Sequence, residues 1–385
     1  MPHALAQAVE VVTAALAVAG IGYFLAAFLA AQVFLFRRRT GVPGFAPGVT
    51  ILKSLKGLDP GMMEAFRSHC RQSYAGEYEL LFGVSSLADP AAAAVMQLQS
   101  EFPEREIRLI ECPQRLGANG KVSTLIQLVP HARHGFLLIN DSDITVWPRY
   151  LERVMGCFAE GGVGMVTVLY RGRAHQTLPS RLEALGIATD FQPSVLLARW
   201  IEGGLRYGLG STLAVSREAL ERIGGLESLV DQLADDYELG ARIFKAGLGV
   251  ALSGEVVETS VPAYSWPGFF DHQLRWYRTV RDARPWGYAG LIFTHGLGWA
   301  LLNVVASGLS PLSLWLLALS FFLRLGLAMI VGASVLGDHE VLPNLWLLPL
   351  RDMVAMGLWA AGFAGNTIVW RGERFAVKGG RLEKA

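Results

Sequence analysis

Phe136-Leu137-Leu138-Ile139-Asn140-Asp141-Ser142-Asp143 decides how the rest of this chain is read. An apolar run of strand length stops abruptly at two carboxylates spaced i, i+2. A buried strand ending this way presents two oxygen ligands at a sheet edge, where open α/β sheets bind their ligands. Hard divalent cations such as Mg²⁺ or Mn²⁺ take oxygen ligands and bridge well to nucleotide phosphates. The bland alternative is a strand followed by an Asx-type turn with both acids solvated, because Asp-x-Asp is short and common.

Working outward, residues 46–283 have the charge and turn density of a soluble domain. Val49-Thr50-Ile51-Leu52 reads as a strand, 60–73 as a helix, 78–84 as a strand and 90–101 as a helix. A strand over 106–111 and a helix over 119–130 lead into the 136–140 strand, and 148–159 (helix) and 164–169 (strand) follow. This alternation predicts an α/β fold with a mostly parallel sheet covered on both faces. The stretch 170–212 breaks the rhythm and disperses Arg171, Arg173, Arg181, Arg199 and Arg206. Acceptor-facing structure is expected there, although any single arginine is more often surface charge. Residues 211–216 resume as a strand and 217–223 as a helix.

The two ends are different. Hydrophobic residues make up 52% of the chain and charged ones 17%, and the excess is concentrated outside the middle. Residues 11–36 carry no charge and are closed by Arg37-Arg38-Arg39, longer than the roughly 20 residues a bilayer crossing needs. A basic cluster after the apolar run predicts an anchor with its N-terminus outside and the following domain in the cytoplasm. Residues 285–323 have no formal charge, and 344–370 form a further apolar stretch containing Arg351-Asp352, a possible pair within a bundle. Three C-terminal spans would put the basic tail outside, so 286–307 is expected to lie partly in the interface. The expected divisions are 1–39 (anchor), 40–284 (catalytic domain), 285–370 (membrane or interfacial helices) and 371–385, a basic cytoplasmic tail with Arg371, Arg374, Lys378, Arg381 and Lys384. A net charge of +1 gives no electrostatic case for nucleic acid. Three scattered cysteines read as reduced buried thiols.

Two further clusters bear on chemistry. Asp235-Asp236-Tyr237-Glu238 opens a helical pattern over 236–246. Acids in a first turn are favoured by the helix dipole alone, but a carboxylate there could also accept a proton from an attacking hydroxyl. His272-Gln273-Leu274-Arg275-Trp276 offers a fixed cation for a diphosphate and a flat apolar wall, or simply an interfacial anchor.

In this order the clusters resemble the GT-A lipid glycosyltransferases of the ceramide glucosyltransferase family and its bacterial hopanoid-glycosyltransferase relatives. Val49-Thr50-Ile51-Leu52-Lys53-Ser54-Leu55-Lys56-Gly57, Gly117-Ala118-Asn119-Gly120-Lys121-Val122-Ser123, Asp141-Ser142-Asp143, Asp235-Asp236-Tyr237 and Trp370-Arg371-Gly372-Glu373-Arg374-Phe375 carry the likeness. Phe191-Gln192-Pro193-Ser194-Val195-Leu196 and His272-Gln273-Leu274-Arg275-Trp276 look more like the hopanoid branch. The resemblance implies a GT-A catalytic domain between N- and C-terminal transmembrane helices, in a multi-pass protein of the inner (cytoplasmic) membrane. It implies inverting transfer from UDP-GlcNAc or UDP-glucose to a membrane lipid hydroxyl, a hopanoid polyol first and ceramide as the alternative. A processive polysaccharide synthase is the distant alternative.

By the same resemblance, Asp141 and Asp143 hold Mg²⁺ or Mn²⁺ and the diphosphate, Lys121 lies on the nucleotide side, and Asp236 is the base. Asp235 matches an acidic but non-catalytic position on the acceptor side. Arg275 and Trp276 match the Arg-Trp of the family's signature, and His272 replaces its usual Gln or Arg. The family's first aspartate, expected after Leu81-Phe82-Gly83-Val84, is missing. Ser86 stands in its place, with Asp89 the nearest acid for the donor.

Overall fold

The computed structural model describes residues 2–38, 42, 44–370 and 372–384; Arg39 of the basic cluster and Arg371 of the tail lie outside them. The chain opens with helix α1 (Pro2–Phe36). It continues through β1 (Val49–Leu55), α2 (Met62–Cys70), β2 (Tyr78–Val84), α3 (Pro90–Glu101), β3 (Ile107–Glu111), α4 (Gly120–Leu128), β4 (Phe136–Ile139), β5 (Ile144–Thr145), α5 (Tyr150–Met155) and β6 (Val163–Arg173). Helices α6 (Leu178–Gly186) and α7 (Gln192–Ile201) precede β7 (Leu213–Ser216), α8 (Arg217–Arg222), α9 (Asp235–Lys245) and β8 (Gly249–Ser260). Then come α10 (Trp266–Ala283), α11 (Pro285–Gly290), α12 (Gly296–Ala306), α13 (Pro311–Ala328), α14 (Leu348–Gly362), β9 (Thr367–Trp370), β10 (Glu373–Lys378) and β11 (Arg381–Lys384).

These elements form two compact units. The first comprises Arg38–Arg173, Gly203–Pro262 and Arg374–Ala385. Its sheet has eight strands in the order β3-β2-β1-β4-β7-β6-β8-β5. β1 runs parallel to both β2 and β4, and β2 to β3. β7 is antiparallel to its neighbours β4 and β6, while β6 and β8 are parallel again. The sheet is mixed but mostly parallel, as expected. Its central strands are apolar on both faces, with Ile51, Leu52, Leu81, Phe82, Leu137 and Leu138 all buried. Order reverses at the β1–β4 junction, so the crevice above their C-terminal ends is where ligands of such sheets bind.

Two sequence expectations are corrected in this unit. Residues 374–384 are not a free tail: β10 and β11 pair antiparallel, burying Phe375, Val377 and Leu382. Buried positions alternate with more exposed ones along both strands, and the pattern is a strand's rather than a solvated run's. The arginines expected to face an acceptor are partly committed elsewhere, for β6 extends to Arg173. Arg171 pairs with Glu258 at 2.9 Å and Arg173 with Glu64 at 2.8 Å.

The second unit comprises Met1–Arg37, Ala174–Glu202 and Ala263–Glu373, so 174–202 belongs here rather than with the eight-stranded sheet. Residues Ala4–Phe36 and Pro311–Val335 are long and apolar enough to cross a membrane. A third span is available if Pro285–Thr294 and Gly296–Ala306, bent by 55°, count as one. That break falls within the segment expected to lie partly in the interface. Helices α1 and α12 touch at Gly20 and Gly296, where a Cβ on Gly20 would fall 2.2 Å from the Gly296 Cα.

Apolar stretch 344–370 holds no helix long and apolar enough to cross a membrane among the described residues. Helix α14 has only 15 residues, and the chain leaves it through Gly365, at φ +74, into the β-branched strand β9. Nor do Arg351 and Asp352 take each other as close partners. Arg324 of α13 donates to Asp352 at 2.7 and 2.9 Å and to the Thr189 carbonyl at 2.7 Å, while Arg351 faces Asp190 at 3.1 Å. Buried charges in an apolar helical unit persist only when paired in this way.

Candidate active site

Strand β4 reaches the crevice already anchored. Asn140 is buried, and its Nδ2 donates to the Ser211 carbonyl at 2.8 Å and to the hydroxyls of Tyr150 and Thr212 at 3.1 Å each. His69 faces Asn140 Oδ1 at 3.2 Å; burial, then Lys53, pushes this imidazole down to about 3, so it is neutral. Asp141 and Asp143 therefore project from a backbone with little freedom to move.

Each is held again. Lys53 of β1, wholly buried, donates from Nζ to the Asp141 carbonyl at 3.0 Å. Burial pushes its ammonium down to about 7, against the pull of Asp141 and Asp143. Lys121 Nζ donates to Asp141 Oδ1 at 2.6 Å. Ser142 donates to Asp59 at 2.5 Å, and Thr259 donates to Asp143 Oδ2 at 2.5 Å. The Asp143 carboxyl is pushed up to about 6, first by burial and then by Asp141.

The second acid pair opens α9. Asp235 accepts from Asn119 Nδ2 at 3.3 Å and lies 3.9 Å from Lys121 Nζ. Asp236 Oδ1 accepts from the Tyr237 backbone N–H at 2.8 Å. Gly210 leaves room for its other oxygen: a Cβ there would be 2.9 Å from Asp236 Oδ2. Burial and then Asp235 push the Asp236 carboxyl up to about 6, with Lys121 opposing; burial likewise raises Asp235. Burial works against the Lys121 ammonium, but Asp141 and Asp235 outweigh it and its pKa rises.

The structure thus gathers Asp141, Asp143, Lys121, Asp235 and Asp236 within the first unit. Asp89 has other work. It caps α3 by accepting from Ala91 N–H at 2.8 Å, and it also accepts from Gly57 N–H at 3.0 Å. Backbone donors already claim the carboxylate expected to face the donor. His272, Arg275 and Trp276 lie on α10 in the second unit. There His272 Nδ1 meets the Tyr264 hydroxyl and buried Glu183 (3.3 Å), the Trp276 ring packs edge-on to His272, and Arg275 lies 5.9 Å over Trp370. Among the described residues no three or more His, Cys, Asp or Glu side chains form a group that could hold a metal ion.

Sequence reasoning missed Lys53, Asn119 and Thr259. Asn119 could have been found as the polar cap before the 120–128 helix, a side-chain acceptor for Val122 N–H. Lys53 and Thr259 sit in strands with no local signal, and each meets its partner about 90 or more residues away.

Over 92% of this chain and 97% of its own, the mannosyltransferase PcManGT from Pyrobaculum calidifontis, solved with GDP-Man and Mn²⁺, has a similar fold (TM-score 0.57, 19% identity). A mixed sheet of this order with acids above its switch point is a GT-A-like fold. The chain belongs to glycosyl transferase family 21, whose profile matches residues 12–382. It is 23% identical to ceramide glucosyltransferase 1 of Caenorhabditis elegans over 352 residues, 87% of this chain and 73% of the relative. Against the ceramide glucosyltransferase of Komagataella phaffii it is 30% identical over 126 residues, 32% of this chain and 25% of the relative.

Proposed function

We propose that this glycosyltransferase moves glucose or N-acetylglucosamine from its UDP-sugar to a hydroxyl of a membrane lipid, with inversion. One observation carries the reading: half-buried Asp236 follows Asp235, which shares Lys121 with Asp141, and in this charge group its carboxyl is pushed up to about 6. A base needs a proton affinity near working pH, and a plain capping acid does not. In the reaction, the acceptor oxygen bonds to the anomeric carbon while Asp236 takes its proton. The bond from that carbon to the diphosphate oxygen breaks, and its electron pair leaves with UDP. A single displacement inverts the centre. Lys121 offers the departing diphosphate a fixed positive charge.

Asp141 and Asp143 suit a hard divalent cation, since Mg²⁺ is usually bound by one or two carboxylates plus substrate phosphates. Their mutual repulsion, part of why Asp143 is raised, is what such a cation relieves. Bound there, Mg²⁺ or Mn²⁺ would neutralise charge on the diphosphate. For Arg275, Trp276 and His272 a part in transfer is proposed on the motif alone.

A lipid acceptor is supported by two helices apolar enough to cross a bilayer and by the likeness to ceramide glucosyltransferases. The stretches Phe191–Leu196 and His272–Trp276 favour a hopanoid polyol, whereas those relatives favour ceramide. We place the enzyme in the inner membrane with its catalytic unit on the cytoplasmic side. Purified enzyme in vesicles, given each radiolabelled UDP-sugar and each lipid, should yield one discrete glycolipid on thin-layer analysis. A polymer would point to a polysaccharide synthase, and no product with either lipid would reject the proposal.

A further inference from the structure

Residues 230–234 run straight into the acid pair, and they form neither helix nor sheet strand of their own. What holds them comes from two distant parts of the chain. On one side is the segment before α4. Asn119 N–H donates to the Val230 carbonyl at 2.8 Å, and Ala118 N–H to Asp231 Oδ1 at 2.8 Å. Asn119 Nδ2 donates to the Gln232 carbonyl at 2.9 Å, and at 3.3 Å to Asp235 itself. Gly117 permits this approach, because a Cβ there would fall 2.7 Å from Asp231 Oδ1 and from both Val230 methyls.

On the other side is the β10–β11 hairpin. Leu382 N–H donates to the Asp231 carbonyl at 2.8 Å, and Leu233 N–H donates to the Gly380 carbonyl at 2.9 Å. Gln232 and Arg381 form an antiparallel bridge between these bonds. The hairpin turns through Gly379-Gly380, at φ +55 and +77, as a tight two-residue connection requires. Its seat is fixed by buried Phe375, Val377 and Leu382. The hairpin adds a strand to the loop that carries Asp235 and Asp236.

We propose that the C-terminal hairpin is a positioning element for the acid pair. It fixes the backbone from which Asp236 is presented, on the reading that Asp236 is the base. Connecting loops otherwise belong to the low-stability end of a structure, and a base displaced by about 1 Å can cost on the order of 10²-fold in rate. Nothing in the hairpin touches substrate in this account. It acts through residues 231–234.

The test uses the full-length enzyme in vesicles. Leu382 spends its N–H on the loop, so Leu382→Pro removes that bond without taking a donor from the hairpin's own ladder. Leu382→Ala keeps the N–H and loses only burial. Hydrogen exchange across 230–236, kcat and UDP affinity are measured for both. Leu382→Pro should speed exchange at residues 231–235 and lower kcat by roughly 10- to 100-fold, with UDP affinity within about threefold. Leu382→Ala should fall well short of that. Wild-type kcat in Leu382→Pro, or equal losses in the two variants, overturns the proposal. Should Leu382→Pro not fold, wild-type exchange decides: the Leu233 and Leu382 amides must be slow, and fast exchange at either rejects the clamp. The reading of Asp236 fails separately, if Asp236→Asn remains active while the exchange pattern stands.

Discussion

The ammonium of Lys121 lies 2.6 Å from Oδ1 of Asp141, joining the first turn of α4 to the acids that end β4. Asp235 is 3.9 Å from the same nitrogen, and Lys121 lowers the proton affinity of both members of that pair. Lys121→Met should therefore raise the pKa of Asp236 further and move the acidic limb of the kcat profile to higher pH. Lys121→Arg keeps the charge and should restore most of the limb's position. A profile unmoved by Lys121→Met would detach Lys121 from the acid pair.

The raised Asp236 pKa has two consequences of opposite sign. For activity, Asp236 in the proposed role of base must be unprotonated, so transfer should rise with pH through about 6 and level off above it. For stability, the folded chain holds this proton up to about 6 while an unfolded aspartate releases it near ~3.9. Within that window the folded state binds more protons than the unfolded one, so stability falls as pH rises. Asp236→Asn should consequently melt above wild type at pH 7 and level with it below about pH 4. Equal melting at pH 7 would mean the carboxylate is not strained by its burial.

Asp143→Ala should remove the metal dependence of donor binding. Calorimetric titration of UDP with and without Mn²⁺ reads this directly. Because Asp143 must lose its proton to ligate, Mn²⁺ binding to wild type should also strengthen with pH through about 6. Unchanged Mn²⁺ dependence in the variant would remove the ligand role.

Orientation can be tested with one engineered thiol. All three native cysteines are buried. Gly161 in the catalytic unit is exposed, with no heavy atom within 4 Å of an added Cβ, so Gly161→Cys is accommodated. An impermeant maleimide should label it in lysed but not in intact cells. Labelling of intact cells would put this unit on the outer side.

The parallel half of the sheet and the acids above it were legible because they rest on local pattern: apolar strand runs broken by carboxylates. The clamp on those acids was not. Lys53 reads as one charge in a strand and gives no sign that it sits beneath Asp141, 88 residues on. In the C-terminal segment the lysines and arginines mask a strand pattern, which shows only in the spacing of Phe375, Val377 and Leu382. Arg324 and Asp190, which take Asp352 and Arg351 as partners, stand 134 residues apart, a pairing no local pattern encodes.

The central claim is that Asp236 takes the acceptor's proton. Initial rates and UDP affinity of Asp236→Asn, measured beside Asp235→Asn, test it most directly. Asn keeps the side chain's size and still accepts from the Tyr237 N–H, so a merely structural Asp236 would leave most activity. Asp236→Asn should lose roughly 10²- to 10⁴-fold or more in turnover with UDP affinity nearly unchanged, and Asp235→Asn should lose less. Turnover of Asp236→Asn within about tenfold of wild type would contradict it, because removing a general base costs more than that.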